Sequence, residues 1–283
     1  MQTDMKHILM LTDFSDNSWN AIRYALSMFK NIECTFYLLT INLLPSYTGA
    51  KTSVRANQEK LRKSILEQSE ADLQYLLKRI EKSLPNSKHK FVTNVVYGSF
   101  VGTVKKMVSN YKIELIVMGT KGASGLKKII VGSNTAAVLS KVDCPLLAVP
   151  ENATYKKPRE ITFVTDFKVA FNHKMLDTLK EVTTLNNTSL SILNVLEKGK
   201  NLDDEQTSNK RFLNDSLNDL EHSFYTLSKA EVDEAVQCFV ESRAIDMIVM
   251  VTKDRSFLQK ILIKPTVKNI SYHIETPFLV LHE

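Results

Sequence analysis

The chain has 283 residues, 43% of them hydrophobic and 24% charged, which is enough for about two globular domains with buried cores. No run of about 18 apolar residues occurs, and the polar start does not resemble a signal peptide, so we expect a cytoplasmic protein without a membrane span. Three widely spaced cysteines exclude a disulfide framework or a zinc site, and a formal charge of +6 is too small to indicate nucleic-acid binding.

The charge is unevenly distributed between the two halves of the chain. Residues 1–150 carry 20 Lys and Arg against 11 Asp and Glu, a formal +9, whereas the remainder carries −3. A basic first half is compatible with an anionic ligand. The alternative is that the lysines of 60–63 and 78–82 only solvate a helix surface.

Apolar runs alternate with amphipathic stretches in the first half, which predicts strands alternating with helices. The predicted order is a strand over 7–12, a helix over about 16–30, a strand over 34–41, a long helix ended by Pro85, a strand over 91–96, a helix over about 100–111, a strand over 115–118, a helix over about 133–141 and a strand over 146–149. Continuous apolar strands separated by helices are typical of a parallel sheet covered on both faces.

The second half repeats the pattern of the first. Both halves open with an apolar strand that ends in Thr-Asp-Phe, at residues 12–14 and 165–167, and later segments match as 114–118 with 246–250 and 144–149 with 276–281. Matching positions are 153 residues apart at the start of the two halves and 132 apart near their ends, so about 21 residues are missing from the middle of the second half. We therefore predict a duplicated domain over 1–150, a linker over 151–158 and a shortened copy over 159–283.

Glycines cluster at one place in the chain. Four of the eight lie between Gly119 and Gly132, after a buried strand and before a helix. Glycine lets the main chain approach a ligand closely, and free N–H groups at the start of a helix suit a phosphate. The predicted cradle comprises the amides of Gly132, Ser133, Asn134 and Thr135, the hydroxyls of Ser133 and Thr135, and the ammonium of Lys127. The alternative is a flexible strand-to-helix turn.

The carboxyl ends of the parallel strands are the place where such sheets bind ligands. In this chain they carry Thr12 and Asp13, Ile41, and Met118 and Gly119. Asp13 suits a hydrogen bond from a ribose or an adenine amino group. An equal alternative is that Asp13 or Ser15 caps the first helix.

Several nucleotide and catalytic motifs are absent from the sequence. It contains no Walker A motif, no dinucleotide fingerprint after the first strand, no Ser-Gly-Gly stretch of an ATP pyrophosphatase and no nucleophile elbow. The six histidines are scattered without the spacing of metal ligands. These absences argue against a P-loop NTPase, a dinucleotide-binding site, an ATP pyrophosphatase and a metal site.

The spacing of the glycine loop resembles that of the universal stress protein family. The family pattern of Gly, two residues, Gly, nine residues, Gly and then Ser or Thr is met by Gly119, Gly122, Gly132 and Ser133. The resemblance implies two tandem Rossmann-like (adenine nucleotide alpha hydrolase-like) α/β domains, each a five-stranded parallel sheet flanked by helices. It also implies that the strands over 146–149 and 278–282 pair across the two halves, as in family dimers.

The resemblance further implies a nucleotide, namely ATP, AMP or ADP, with Mg²⁺ as a possible companion. Asp13 would contact the adenine or ribose, the backbone of Ile41 would face the adenine, and the glycine loop with Ser133 and Asn134 would hold ribose and phosphates. The second half departs from the pattern, since Val251, Asp254, Lys264 and Pro265 replace the motif residues. Nucleotide binding is therefore expected only in the first half.

Three functions follow as hypotheses. The first is a nucleotide-binding stress-response or signalling protein that acts through conformation and partners, with a possible homodimer and little turnover. The second is a slow ATPase or phosphotransferase, for which residues 42–57 would form a lid. The third is a scaffold that binds another small ligand.

Overall fold

The computed structural model describes residues 5–43, 52–120, 131–196, 199–228, 232–251 and 276–282, with only the backbone described for 52–58 and 186. The first half contains β1 (Lys6–Leu11), α1 (Asp16–Met28), β2 (Cys34–Asn42), α2 (Thr52–Ser83), β3 (His89–Tyr97), α3 (Phe100–Tyr111), β4 (Leu115–Gly119), α4 (Ser133–Lys141) and β5 (Leu146–Val149). The strands and helices predicted from the sequence are confirmed, with ends that differ by a few residues.

The described elements of the second half follow the same order as far as its fourth strand, and residues 252–275 before its last strand lie outside the described residues. The second half contains β6 (Glu160–Val164), α5 (His173–Asn186), β7 (Ser189–Leu196), α6 (Asp204–Ser216), β8 (His222–Ser228), α7 (Val232–Arg243), β9 (Met247–Val251) and β10 (Phe278–Leu281). The predicted shortening lies in the helix between the second and third strands, because α2 has 32 residues and α6 has 13. No helix among the described residues is long and apolar enough to cross a membrane.

Polar side chains cap the N-termini of several helices. Ser15 caps α1 by accepting a hydrogen bond from the amide of Ser18, and Asn172 caps α5 through the amide of Met175. Asp203 and Gln206 form a reciprocal capping box at the start of α6. The capping role that the sequence left open between Asp13 and Ser15 therefore belongs to Ser15.

All ten strands form one sheet in the order β3-β2-β1-β4-β5-β10-β9-β6-β7-β8. Every neighbouring pair is parallel except β5 and β10, which are antiparallel. The sheet thus consists of two five-stranded parallel arrays that meet at one antiparallel seam. Helices cover both faces, and the residues of β9 are all buried, as expected for parallel strands inside an α/β protein.

The seam joins the halves through backbone and side-chain contacts. Phe278 lies opposite Ala148 and Val280 opposite Leu146, which confirms the predicted pairing of these strands. On the α1 side of the sheet, Lys6 of β1 lies 2.8 Å from the Glu114 carboxylate and 3.0 Å from that of Glu181 in α5. These contacts place elements of both halves in one continuous core.

Cys34 and Cys144 are both buried among the core side chains. Burial raises the pKa of both thiols to about 12. Both side chains are therefore protonated and unreactive at neutral pH.

Candidate functional site

A cavity of about 300 Å³ lies at the carboxyl ends of β1, β2 and β4, next to the first turn of α4. The strand order explains its position, because β2 and β4 lie on opposite sides of β1 and the connections from these strands diverge there. The described lining residues are Leu11, Thr12, Asp13, Ser18, Leu39, Thr40, Ile41, Leu43, Phe100, Met118, Gly119, Gly132, Ser133, Asn134 and Thr135. The predicted site residues Thr12, Asp13, Ile41, Met118, Gly119 and 132–135 are thus brought together.

The main chain of Ile41 faces this cavity. In a parallel strand, the N–H and C=O of one residue point to the same side and alternate along the strand. Leu39 accepts a hydrogen bond from the amide of Thr12 on the β1 side, whereas Asn42 accepts one from Gly98 on the β3 side. Ile41 therefore points to the β1 side, but β1 has already ended, and no described residue pairs with it there. Among the described residues, the N–H and the C=O of Ile41 are therefore left side by side without a main-chain partner.

The opposite end of the cavity is the start of α4. Gly132 is the N-cap residue and supplies no side chain, and the first backbone bond of the helix runs from Ala136 to the Gly132 carbonyl. The amides of Ser133, Asn134 and Thr135 thus precede the intrahelical ladder. Ser133 and Asn134 are exposed, and the positive end of the helix dipole lies at the same point. This arrangement suits a phosphate or carboxylate.

Two donors assigned to the cradle from sequence are occupied by the protein itself. The Gly132 amide donates to the carbonyl of Thr120, so it is not free as predicted. The Thr135 hydroxyl donates to the carbonyl of Gly119 at 2.9 Å, and the residue is only 3% exposed. Both bonds join the end of β4 to the start of α4 and hold the helix terminus at the edge of the sheet.

Gly119 lies against the first turn of α1 as well as at the cavity. A Cβ atom at this position would lie 2.7–2.9 Å from the side-chain atoms of Asn17, which is buried in the first turn of α1. Ordinary carbon contacts are about 3.5–4.0 Å. Glycine at 119 thus allows α1 to pack against β4, which was not visible in the spacing of the loop.

Asp13 and Ser15 form one small turn beside the cavity. The Asp13 Oδ1 atom accepts hydrogen bonds from the Ser15 amide at 3.1 Å and the Ser15 hydroxyl at 2.6 Å. Phe14 between them adopts a left-handed φ of 62°. Asp13 lines the cavity but Ser15 does not, so Ser15 belongs to the support of the site rather than to its wall.

Sequence reasoning missed part of the cavity wall. Leu11, Leu39, Leu43 and Phe100 supply apolar surface, while Ser18 and Thr40 supply hydroxyl groups. Leu39 and Thr40 adjoin Ile41, so the end of the strand was a usable signal for them. Phe100 follows β3 at the start of a helix, and nothing local in the sequence indicated that it reaches the cavity.

Some predicted residues lie outside the described part of the chain. Gly122 and Lys127 of the glycine loop are among them, as are Asp254, Lys264 and Pro265 of the second half and half of the predicted lid, 44–51. Within the described residues, no group of three or more His, Cys, Asp or Glu side chains is placed to hold a metal ion. Asp13 is the only carboxylate among the described lining residues.

The fold is that of an α/β protein with two tandem Rossmann-like domains and a cavity at the sheet edge of the first. The universal stress protein family model matches residues 5–150, and the chain belongs to that family.

Individual relatives agree with this assignment. Universal stress protein MJ0531 of Methanocaldococcus jannaschii is 27% identical over 155 residues, which cover 55% of this chain and 84% of the relative. Universal stress protein MJ0577 of the same organism is 25% identical over 162 residues, covering 53% and 97%. The crystal structure of a universal stress protein from Archaeoglobus fulgidus has a TM-score of 0.71 at 19% identity and covers 98% of both chains, so it supports the fold of both halves.

Proposed function

We propose that the first half of this chain binds an adenine nucleotide and that the protein acts in stress response or signalling through nucleotide-dependent conformation and partners. The observation that carries the proposal is the pairing of two features across one cavity. The main-chain edge of Ile41, which no described residue pairs, lies at one end, and the amides of Ser133 and Asn134, which precede the helical hydrogen bonds, lie at the other. A base and a phosphate are the two ends of a nucleotide, and each has a matching partner.

The base end favours a purine. The Ile41 N–H and C=O offer a donor and an acceptor in the plane of the sheet, which adenine matches with a ring nitrogen and its 6-amino group. Leu39, Met118 and Phe100 provide apolar surface for the faces of the ring. Asp13, at the same edge, provides an acceptor for ribose hydroxyls.

The phosphate end acts through the main chain. Ser133 and Asn134 present amides and polar side chains at the positive end of α4. ATP, AMP and ADP all fit this chemistry. Mg²⁺ would come with the phosphates, because a single carboxylate in the described lining does not make a site for the free ion.

The remaining parts of the proposal concern the whole chain. We infer that the two halves arose by duplication, with the domain limits at 1–150 and 159–283, and that the protein works in the cytoplasm. The seam between β5 and β10 uses within one chain the strand contact that the family resemblance assigns to dimers. A homodimer of this chain would therefore use another surface.

Isothermal titration with ATP and AMP tests the nucleotide site through Gly132→Asp. Aspartate is a favourable N-cap, so this change keeps α4 folded while its carboxylate occupies the amides and repels phosphate. We expect one nucleotide per wild-type chain and at least about tenfold weaker binding in the variant, the effect of about 1.4 kcal/mol.

Ser140→Asp is the matched control, since it adds the same charge near the other end of α4. It should bind nucleotides within about twofold of the wild type, a difference below about 0.5 kcal/mol. If Gly132→Asp binds ATP and AMP as tightly as Ser140→Asp does, the proposed phosphate site is contradicted. Mass spectrometry of small molecules released from the purified protein would identify the natural ligand.

A further inference from the structure

The sheet ends in two outer strands, β3 and β8, and among the described residues only one edge of each is paired. At the β3 end, the exposed Lys88 and Lys90 lie just before and within the strand, and α2 packs along it. Lysine on an outer strand and a covering helix are common ways in which a sheet is protected from the addition of further strands. The β3 end of the sheet is therefore protected.

The β8 end has neither form of protection. Its sequence, His-Ser-Phe-Tyr-Thr-Leu-Ser over 222–228, contains no Lys, Arg, Asp, Glu, Pro or Gly. The strand pairs with β7 residue by residue without a bulge, and α6 makes no contact with β8 as extensive as that of α2 with β3. A regular, uncharged outer strand that exceeds the usual length of about five or six residues is suited to pair with another strand.

The main chain of every second residue in β8 points away from the sheet. Glu221 accepts the amide of Leu190, so the odd-numbered residues of the strand face β7 and the even-numbered residues face outward. No described residue bonds to the N–H or C=O groups of the outward residues, which are His222, Phe224, Thr226 and Ser228. The edge thus offers donors and acceptors along its whole length.

A second copy of the chain fits this edge in one register. Antiparallel pairing about a twofold axis brings all the outward residues opposite one another only when Tyr225 lies opposite its own copy. Phe224 then lies opposite Thr226, and an aromatic residue with a β-branched one is a favourable cross-strand pair. The strand itself carries no charged side chain, and the two copies of Glu221 lie at opposite ends of the pair. The edge of β8 is therefore complementary to itself.

The cations nearest to β8 lie above and below the strand and not at its edge. Lys210 Nζ lies 5.2 Å from the ring centre of Phe224, and the guanidinium of Arg243 lies 4.7 Å from that of Tyr225. Because successive side chains of a strand point to opposite faces, the two cations lie on opposite faces of the sheet. Arg243 is also paired with Glu160 at 2.7 Å. A partner strand thus meets an uncharged edge.

The chain already contains a contact of this kind. The strands β5 and β10, of four residues each, join two parallel arrays by antiparallel pairing. β8 has seven residues, so an antiparallel pair of two β8 strands is longer than the internal seam. The same kind of contact between two copies continues the sheet from one chain into the next.

We propose that the outer edge of β8 joins two copies of this chain into a twofold dimer by antiparallel strand addition. The contact uses the same surface on both copies, so the assembly closes at two chains, and the protected β3 edges lie at its ends. The inference is independent of nucleotide binding, because the cavity of the first half lies at β1, β2 and β4.

Thr226→Pro and Val95→Pro form a matched pair of variants. Each position has an outward N–H at the same register of an outer strand, and proline removes it without breaking the ladder. In sedimentation equilibrium we expect a wild-type dimer, association at least about tenfold weaker in Thr226→Pro, and association within about twofold of wild type in Val95→Pro. A wild-type chain that stays monomeric up to about 1 mM, or a Thr226→Pro variant that dimerises as well as the wild type, would overturn the proposal.

Cysteine cross-linking tests the same contact without proline, in a Cys238→Ser background that removes the exposed thiol. Tyr225→Cys brings the two Cα atoms to about 4.5 Å, within the range of about 4.4–6.8 Å for a disulfide. Ser223→Cys leaves them about 14 Å apart, which is too far. We expect disulfide-linked dimers on mild oxidation with Tyr225→Cys and not with Ser223→Cys. Equal cross-linking at both positions, or none with Tyr225→Cys, would also overturn the proposal.

Discussion

Replacing Gly119 with alanine tests the packing between β4 and α1. The added Cβ would approach the Nδ2, Cγ and Oδ1 atoms of Asn17 to 2.7, 2.8 and 2.9 Å. These distances are about 0.6–1.3 Å shorter than ordinary contacts of about 3.5–4.0 Å. Asn17 is 5% exposed, so its side chain has little room to move away. Overpacking of this kind costs about 1–3 kcal/mol of unfolding free energy.

A double-mutant cycle in urea isolates this contact. Gly119→Ala should cost about 1–3 kcal/mol in the wild type but less than about 1 kcal/mol in an Asn17→Ala background, where the overlapping atoms are gone. The expected coupling energy is thus about 1–2 kcal/mol. An equal cost of Gly119→Ala in both backgrounds would refute the assignment of Gly119 to packing.

Three further outcomes follow from groups away from the cavity. Lys6→Met should lower the unfolding free energy by about 1 kcal/mol at low salt and less at high salt, because it removes a partly buried ammonium paired with Glu181 and a second carboxylate. A loss of unfolding free energy that does not depend on salt in urea titrations would argue against the ion pair. Burial lowers the pKa of His282, whose Nε2 lies 3.2 Å from the carbonyl of residue 139. The contribution of this histidine to the unfolding free energy is therefore present above the unfolded pKa of about 6.5 and is lost as the pH falls towards the folded pKa. His282→Gln should therefore flatten the decline of the unfolding free energy between pH 7.5 and 5.5 (roughly the titration range of histidine), and an unchanged slope would contradict this. Ellman's reagent should modify the exposed Cys238 in the native protein and reach the two buried cysteines only on unfolding. Rapid modification of all three thiols in the native protein would show that the core opens.

The sequence was a good guide to the elements because their signals are local. The uninterrupted apolar run of β4 predicted a strand buried on both faces, and a glycine followed by Ser133 predicted the start of α4. The Thr-Asp-Phe repeat predicted a duplicated domain, and the bond from the Phe amide to the Thr hydroxyl is 3.0 Å in both copies. Periodicity and turn chemistry determine these features within a short window of residues.

The details of the site were less predictable because they depend on distant residues. The contact between Gly119 and Asn17 joins positions 102 apart, and the hydroxyl of Thr135 turns back to a carbonyl 16 residues earlier. Phe100 lines the cavity from the start of α3, far along the chain from the residues of β1 and β2. Which donor is free and which is occupied is decided by this packing and not by spacing.

The position of β10 has a consequence for how the sheet is assembled. This four-residue strand lies between β5 and β9, in the middle of the sheet, although it follows every other strand in chain order. The two parallel arrays therefore remain separate until residues 278–281 are in place, and until then β5 presents an apolar edge open to strand addition. Such a late, non-local closure favours slow folding, and a fragment that lacks these residues would be prone to pair through β5 with another copy.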